Sequence, residues 1–286
     1  MGPAHAHDAG ARRRRQARRV VGDDGARLRP QLAEALRREV GVSSVVITGA
    51  GKGIGAGIVE AFAKAGWSIV AVDRDRSSLE ATAAKVGSKT VTLAGDVADR
   101  ATSEAAVKMA VDRFGGLDAV VGNAGVTLPK LIDDTSADEF DKLFAINVKA
   151  LMFLAQAAHR ALAKSRGSLT VIASKTGLVA QRNSPIYVAT KGAAVQLARA
   201  LALDWAPEGI RVNAVCPGIV DTPMLKEFID AMPDPAASRR EHEAAQPLGR
   251  LATPAEVASA VLFLATPAAA FITGVALPVD GGFTAE

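Results

Sequence analysis

Residues 45–55 read Val-Val-Ile-Thr-Gly-Ala-Gly-Lys-Gly-Ile-Gly, a β-branched run that passes directly into closely spaced glycines. The apolar positions that follow, Ile58, Val59 and Phe62, have helical spacing and end before Gly66. This order predicts a strand, a tight turn and a helix whose unpaired N–H groups point at whatever lies over the loop. The pattern favours binding of a pyrophosphate, although the glycines match the generic G-x-G-x-x-G only imperfectly.

A second β-branched run, residues 68–72, ends in Asp73. This carboxylate follows the glycine loop by about 20 residues, the distance at which an acidic side chain accepts hydrogen bonds from the hydroxyls of an adenosine ribose. The two features together predict a dinucleotide site.

Short apolar runs rich in Val and Ile alternate with helical patterns along the rest of the chain. The predicted strands span residues 45–48, 69–72, 90–93, 119–121, 169–173, 212–215 and 275–279. Their apolar character on both faces is typical of a parallel sheet covered by helices on each side. Ser77, Ser136 and Thr253-Pro254 are predicted helix caps. A chain of 286 residues with 49% hydrophobic content is long enough for one large α/β domain.

Tyr187 is the only tyrosine; it precedes Lys191 by four residues and follows Ser174 by thirteen. In a helix over residues 187–206, the tyrosine and the lysine would project from one face. A cation about 4–5 Å away would stabilise the phenolate by roughly 3–4 kcal/mol and lower its pKa by about 2–3 units. Tyr187 is therefore predicted to act as a general base near neutral pH. For a lone Tyr-x-x-x-Lys, the alternative is a core aromatic beside a solvated lysine.

These residues belong to an ordered set of motifs, and over residues 43–284 the chain resembles a classical short-chain dehydrogenase/reductase. The further motifs similar to that family are Thr48-Gly49-x-x-x-Gly53-x-Gly55, Asp96-Val97, Gly122-Asn123-Ala124-Gly125, Pro217-Gly218 with Thr222, and Asp280-Gly281-Gly282. The departure is Gly122, where the family has a first asparagine. This change is expected to loosen hydrogen bonding around the central sheet slightly without removing chemistry.

The resemblance implies a single Rossmann-type, doubly wound α/β domain with a mostly parallel seven-stranded sheet of order 3-2-1-4-5-6-7 and helices on both faces. It also implies NAD(P)-dependent interconversion of a secondary alcohol and a ketone by a catalytic tetrad of Asn147, Ser174, Tyr187 and Lys191. Tyr187 would exchange the hydroxyl proton, and Lys191 would lower its pKa and bond the nicotinamide ribose. Ser174 would hold the substrate oxygen and Asn147 a water for proton relay. The simpler alternatives are that Ser174 only terminates a strand and that Asn147 bridges backbone within a helix.

The resemblance further implies a set of cofactor-binding residues. They are Gly49, Gly51, Lys52, Gly53, Ile54, Gly55, Asp73, Arg74, Asp96, Val97, Asn123, Ala124, Gly125, Tyr187, Lys191, Pro217, Gly218, Val220 and Thr222. Asp73 favours NAD, because it accepts from the ribose 2′-hydroxyl and repels a 2′-phosphate. Lys52 and Arg74 stand where NADP-preferring members often place phosphate contacts. NAD is the expected cofactor and NADP the alternative.

Residues 213–224 resemble family members that act on sugars, sugar acids and small hydroxy acids, so a substrate of this kind is expected. A 3-oxoacyl-(acyl-carrier-protein) reductase is the alternative, and it would need a basic surface for the acidic carrier. An alternative of another class is a non-catalytic, cofactor-sensing binding module.

A substrate lid is predicted at residues 222–246, where an apolar helical stripe would cover the cleft. The stripe consists of Met224, Leu225, Phe228, Ile229 and Met232. Ordinary helix packing explains it equally well. Gln181, Arg182 and Asn183 add polar groups near the pocket. Arg182 either pairs with a substrate carboxylate or faces solvent or a neighbouring subunit.

Residues 1–40 carry ten Arg and five acidic residues, a net charge of +5, whereas the remainder has a net charge of −1. Their composition predicts a disordered extension before a dehydrogenase domain at residues 41–286, with a short helix over residues 31–39. The arginine run at residues 12–19 also suits nucleic acid or an anionic membrane. It lacks interleaved aromatics for base stacking and any apolar stretch of signal or membrane length. Neither a nucleic-acid nor a membrane partner is therefore expected.

Cys216 is the only cysteine, so no intrachain disulfide is possible and a cytoplasmic location is expected. A lone thiol is expected to be a small buried residue rather than a nucleophile. The histidines His5, His7, His159 and His242 are scattered, which predicts no metal site. The family resemblance implies a homotetramer, or else a homodimer, acting on a small-molecule alcohol or ketone.

Overall fold

A computed structural model describes residues 43–285, and the predictions for residues 1–40 lie outside them. Seven strands of the described chain form one sheet of order β3-β2-β1-β4-β5-β6-β7. Every neighbouring pair in that sheet is parallel. The predicted doubly wound α/β fold is confirmed.

The sheet is built from short strands. They are β1 Ser44–Thr48, β2 Ser68–Asp73, β3 Thr90–Ala94, β4 Ala119–Gly122, β5 Ser168–Ile172, β6 Arg211–Pro217 and β7 Ala276–Val279. The helices of the described residues are α1 Gly53–Lys64, α2 Arg76–Val86, α3 Arg100–Phe114, α4 Ala137–Phe144, α5 Ala150–Ser165, α6 Pro185–Trp205, α7 Pro223–Asp230, α8 Pro235–Ala244 and α9 Pro254–Ala265. A π-helix, Ala145–Lys149, joins α4 to α5. Short 3-10 turns lie at Lys175–Gly177, Ala206–Glu208, Pro267–Ala269 and Phe283–Ala285.

Two of the three predicted helix caps are correct. Ser136 and Thr253 each accept a hydrogen bond from the third helical residue, whose glutamate bonds back in a capping box. The prediction for Ser77 is wrong, because Asp75 caps α2 by accepting from the Ser78 N–H and places Ser77 inside the helix. The helix predicted from residue 187 begins earlier, since Pro185 suits a first helical position.

The strands are apolar on both faces because each face meets helices. Val46 and Val70 contact the cluster formed with α3, α5 and α6. Val45 and Ile69 contact the cluster formed with α1, α2 and α9. Burial on both sides leaves only the strand ends for polar function, so the chemistry is confined to the edges of the sheet.

The order of the strands reverses between β1 and β4, which opens a crevice at their carboxyl ends. Thr48 holds the two strands together there. Its hydroxyl accepts from the N–H groups of Asn123 and Ala124, both at 3.1 Å, and donates to the Val121 carbonyl at 3.4 Å. The Asn123 side-chain amide returns bonds to the carbonyls of Thr48 at 2.9 Å and Gly49 at 3.0 Å.

Gly122 leaves no gap in this arrangement. A β-carbon on Gly122 would stand 2.5 Å from Leu151 Cδ2, so the leucine fills the space that an asparagine would need. The expected loosening of hydrogen bonds around the sheet is not observed, because Thr48 and Asn123 make these bonds.

Replacing Thr48 with valine keeps the shape of the side chain but leaves two partly buried N–H groups without their acceptor. We expect the free energy of unfolding to fall by about 2–4 kcal/mol, measured by urea denaturation. Thr92→Val is the matched control, since the Thr92 hydroxyl on β3 makes no hydrogen bond within residues 43–285. Equal stabilities of the two variants would contradict the structural role of Thr48.

Candidate active site

The glycine loop between β1 and α1 brings two stretches of backbone unusually close together. A β-carbon on Gly55 would stand 1.9 Å from the Gly49 carbonyl oxygen, so any other residue would displace the loop. Gly49 has a φ of 64°, a conformation that other residues rarely adopt. The first turn of α1, capped by no side chain, leaves its N–H groups directed into the crevice. These features fit the diphosphate of a dinucleotide.

Asp73 at the end of β2 has both carboxylate oxygens fixed by backbone. Oδ2 accepts from the Gly51 N–H at 2.9 Å, and Oδ1 accepts from the Asp75 N–H at 3.0 Å. The carboxylate is therefore tied directly to the glycine loop, at the place predicted for the ribose.

Lys52 is paired within the protein. Its Nζ lies 2.8 Å from Asp75 Oδ2. The hydrogen bond from Lys52 is the main reason that the pKa of Asp75 is lowered to about 2. The pKa of Lys52 is raised by Asp75 first and, more weakly, by the nearby carboxylates of Glu227 and Asp73. A lysine predicted as a possible phosphate contact thus stands among carboxylates.

The predicted cofactor and catalytic residues surround a single cavity of about 880 Å³ at the carboxyl ends of the strands. It runs from the glycine loop to Ser174 and Tyr187 and is bordered by α7 and α8. Every predicted site residue lines it except Gly51 and Asn147. The N–H of Gly51 binds Asp73, and Asn147 lies behind the cavity wall at Val126.

Ser174, Tyr187 and Lys191 come together beside β5. Lys191 Nζ lies 5.8 Å from the centre of the Tyr187 ring and donates to the Ile172 carbonyl at 3.0 Å. The Ser174 hydroxyl oxygen accepts from the backbone N–H of Thr176 at 3.1 Å and from its hydroxyl at 3.0 Å. The helical spacing of tyrosine and lysine has placed both side chains on the same face, as predicted.

The electrostatics of the pair differ from the prediction. Burial raises the pKa of Tyr187, and a hydrogen bond with Ser174 only partly opposes this effect. Burial lowers the pKa of Lys191 to about 8. The expected lowering of the tyrosine pKa by Lys191 is therefore corrected. Loss of hydration is the largest cause of both shifts, and it acts against the charged form of each group.

Asn147 is buried in the π-helix that precedes α5. Its Oδ1 accepts from the Val126 N–H, and its Nδ2 donates to the Val126 carbonyl, both at 2.9 Å. Nδ2 also donates to the Thr190 hydroxyl at 3.1 Å. The side chain thus bridges backbone, as the simpler alternative held, but it does so across segments rather than within its own helix. It anchors the loop after β4 to α6 next to Lys191.

Lys175 lines the cavity next to Ser174 and is not among the predicted site residues. The residue is buried, and its Nζ lies 3.2 Å from the centre of the Phe283 ring. Burial lowers the pKa of Lys175 to about 8, while Asp280 opposes the shift. The available signal for this residue was its position directly after the predicted catalytic Ser174.

The residues of the predicted lid stripe divide between the cavity and the protein interior. Met224, Leu225 and Phe228 line the cavity, whereas Ile229 is buried and packs away from it. The lid also contributes polar residues that were missed, namely Glu227, Glu241 and His242. The adjacent Glu241 and His242 in the last turn of α8 were the available signal for these polar groups.

Of the polar residues between Ser174 and Tyr187, Gln181 lines the cavity. Arg182 and Asn183 are exposed and do not line it. Arg182 therefore faces solvent in the described chain, one of the alternatives considered.

Cys216 is a buried thiol, and burial raises its pKa to about 11.

No helix within residues 43–285 is long and apolar enough to cross a bilayer. No three His, Cys, Asp or Glu side chains of that range are grouped so as to hold a metal ion.

Comparison with known proteins agrees with this site. A family model described as enoyl-(acyl carrier protein) reductase matches residues 49–284. L-fucose dehydrogenase of Bos taurus is 42% identical over 239 residues, which span 83% of this chain and 88% of that protein. 2-(S)-hydroxypropyl-CoM dehydrogenase 3 of Xanthobacter autotrophicus is 36% identical, with 89% of this chain and 100% of that protein covered. The crystal structure of 3-ketoacyl-(acyl-carrier-protein) reductase from Brucella melitensis complexed with NADH superposes with a TM-score of 0.79 at 34% identity, covering 85% of this chain and 98% of that one.

The fold, the glycine loop and the relatives define an oxidoreductase that acts on CH–OH groups with a nicotinamide dinucleotide. The chain belongs to the short-chain dehydrogenase/reductase family.

Proposed function

We propose that this protein oxidises a secondary alcohol of a sugar to the carbonyl compound with NAD, and catalyses the reverse reduction. The observation that carries the proposal is the single cavity in which Ser174, Tyr187 and Lys191 meet the glycine loop and a polar lid. The sugar is supported by the 42% identity to a protein named L-fucose dehydrogenase.

The bound nicotinamide would supply the acceptor or donor of hydride. Tyr187 exchanges the proton of the substrate oxygen. Because burial raises the pKa of Tyr187, the phenol is protonated at neutral pH and ready to donate during reduction. Two bonds accepted from Thr176 and a bond with Tyr187 hold the Ser174 hydroxyl beside the phenol, and its proton would turn to the substrate oxygen when substrate binds. Ser174 therefore stabilises charge on that oxygen.

Lys191 uses one of its three N–H donors on the Ile172 carbonyl and keeps two for the ribose and for Tyr187. Both amide protons of Asn147 are committed to Val126 and Thr190. We therefore assign Asn147 a positioning role, because it holds Thr190 and with it the turn of α6 that carries Lys191. This role replaces the expected placement of a relay water by the side chain.

The lid argues against an acyl-carrier substrate. Its cavity-lining residues include Glu227 and Glu241, and no Lys or Arg of residues 222–246 lines the cavity. An acidic carrier protein would meet like charge at this mouth. A non-catalytic sensing module receives no support, since the named relatives are dehydrogenases and reductases.

NAD is the proposed cofactor in preference to NADP. Asp73 is held by backbone at the expected ribose position, and Lys52 is neutralised by Asp75. A 2′-phosphate would approach these carboxylates with Arg74, which also lines the cavity, as the cation left to offset them. The similar reductase structure is described as complexed with NADH.

We place the catalytic domain in residues 41–286, with the lid at residues 222–246, and propose a cytoplasmic homotetramer. Large apolar side chains lie on the surface, where a second copy would cover them. They include Leu203, which is 79% exposed, Leu248, at 69%, and Phe271, which is fully exposed. Such exposure favours association between subunits.

The proposal is tested by following the absorbance of the reduced nicotinamide with NAD or NADP. The panel contains neutral sugars, sugar acids, hydroxy acids and cyclic alcohols. We expect reduction of NAD with a neutral sugar, and a loss of at least about 1,000-fold in kcat/KM for Tyr187→Phe with dinucleotide binding unchanged. If Tyr187→Phe keeps its activity, or if neither dinucleotide binds, the proposed function is wrong.

The pH dependence follows from the two buried groups. Burial lowers the pKa of Lys191 to about 8 and raises that of Tyr187, so the first proton to leave these two groups is that of Lys191. Oxidation needs this proton to have left. We expect kcat/KM for oxidation to rise about tenfold per unit of pH below that value and to level off above it, with reduction showing the opposite trend. Lys191→Arg should shift the rise in kcat/KM to higher pH, since a guanidinium stays charged and the first proton then has to leave Tyr187. A value of kcat/KM that does not change with pH in the wild type would contradict the assignment of this dependence to Lys191 and Tyr187.

Cofactor choice is tested by calorimetric binding. Asp73→Ala should weaken NAD and strengthen NADP by about tenfold each, because it removes a hydrogen-bond acceptor and a like charge. Asp75→Asn keeps the cap on α2 but frees Lys52, so NADP should bind about threefold to fivefold more tightly with NAD unchanged. Glu80→Gln, whose carboxylate lies 3.8 Å from Arg76 and does not line the cavity, is the control. Tighter binding of NADP than of NAD by the wild type would refute the preference.

A further inference from the structure

His242 on α8 lines the same cavity as Ser174 and Tyr187. It is half-buried and belongs to the lid rather than to the strand ends that carry the chemistry. The roles proposed for Ser174, Tyr187 and Lys191 do not involve the His242 ring. It is therefore a candidate for contact with a part of the substrate remote from the reacting carbon.

The ring of His242 is held in one orientation. Nδ1 lies 2.7 Å from the Ser238 carbonyl oxygen, one helical turn earlier. Because a carbonyl can only accept, Nδ1 carries the proton of this bond, and in the neutral imidazole Nε2 is an acceptor. Phe228 of α7 meets the ring edge-on, with centres 5.8 Å apart at 69°. Nε2 has no hydrogen-bond partner among the described residues.

Other hydrogen-bond acceptors line the same cavity as His242. Glu241 and Glu227 contribute carboxylates from the lid to the lining of the cavity, and Gln181 contributes an amide from the loop after β5. A ligand that brings several hydroxyl donors satisfies such groups. A ligand with its own carboxylate would face like charge from the two glutamates.

We propose that His242 is a specificity-determining residue whose Nε2 accepts a hydrogen bond from a hydroxyl of a neutral, polyhydroxylated substrate. That hydroxyl is on a carbon other than the one oxidised. The inference rests on the proposed function and narrows it, since it favours aldoses and polyols over sugar acids and hydroxy acids.

The test compares a neutral aldose with cyclohexanol, which has one hydroxyl and nothing for His242 to hold. His242→Ala should lower kcat/KM for the aldose by about 5-fold to 50-fold, chiefly through KM, and change the value for cyclohexanol by less than about twofold. His242→Gln should recover part of the loss, because its amide oxygen can accept the same bond. Arg240→Ala, an exposed neighbour on α8 that does not line the cavity, is the control. Equal losses on both substrates would show a structural role and overturn the proposal.

A binding measurement separates this inference from the proposed function. The aldose is titrated calorimetrically into the Tyr187→Phe enzyme saturated with NADH, with and without His242→Ala. Affinity that falls about 5-fold to 50-fold on loss of His242 supports the inference, even if the wild type oxidises no sugar and the proposed function fails. Affinity that is unchanged by His242→Ala, or no affinity for any neutral aldose or polyol, overturns the inference.

Discussion

The rest of the site depends on the close approach of the Gly49 carbonyl to Gly55, where a β-carbon would stand at 1.9 Å. This contact lets α1 begin directly over the end of β1, so its free N–H groups face the crevice. Asn123 then bonds the Gly49 carbonyl from the neighbouring strand end. The Gly49 carbonyl thus meets both the start of α1 and the end of β4, at the point where the strand order reverses and where a ligand binds in folds of this kind.

Burial of the two lysines in the site dominates their electrostatics. Lys175 and Lys191 are both buried, and burial lowers each pKa to about 8. The same loss of hydration raises the pKa of Tyr187. The protein compensates with directed contacts, a carbonyl from Ile172 for one lysine and the ring of Phe283 for the other. Charge in this site is therefore held by a few oriented partners rather than by water, which makes each protonation state sensitive to its neighbours.

The lid combines two physical tasks in one short segment. Met224 and Phe228 bring apolar surface to the cavity and, under the proposed function, would exclude water from the reacting carbon. Glu241 and His242 bring acceptors to the same cavity from the following helix. Apolar cover alone would select poorly among alcohols, because contacts with a hydrocarbon discriminate weakly. Polar groups fixed by their own helix can add the discrimination without altering the catalytic residues.

The sequence by itself determined the strands, the glycine loop and the pairing of Tyr187 with Lys191, because the period of a strand and the i,i+4 neighbours of a helix are properties of the local chain. The family resemblance also indicated residues that mostly line one cavity, since parallel strands deliver their carboxyl ends to one edge. The sequence misjudged the cap of α2, where neighbouring residues compete for one role. Only the tertiary structure decided the protonation of the pair, the neutralisation of Lys52 and the entry of His242 into the cavity. Each of these depends on burial or on packing among segments that the fold brings together, which no local pattern encodes.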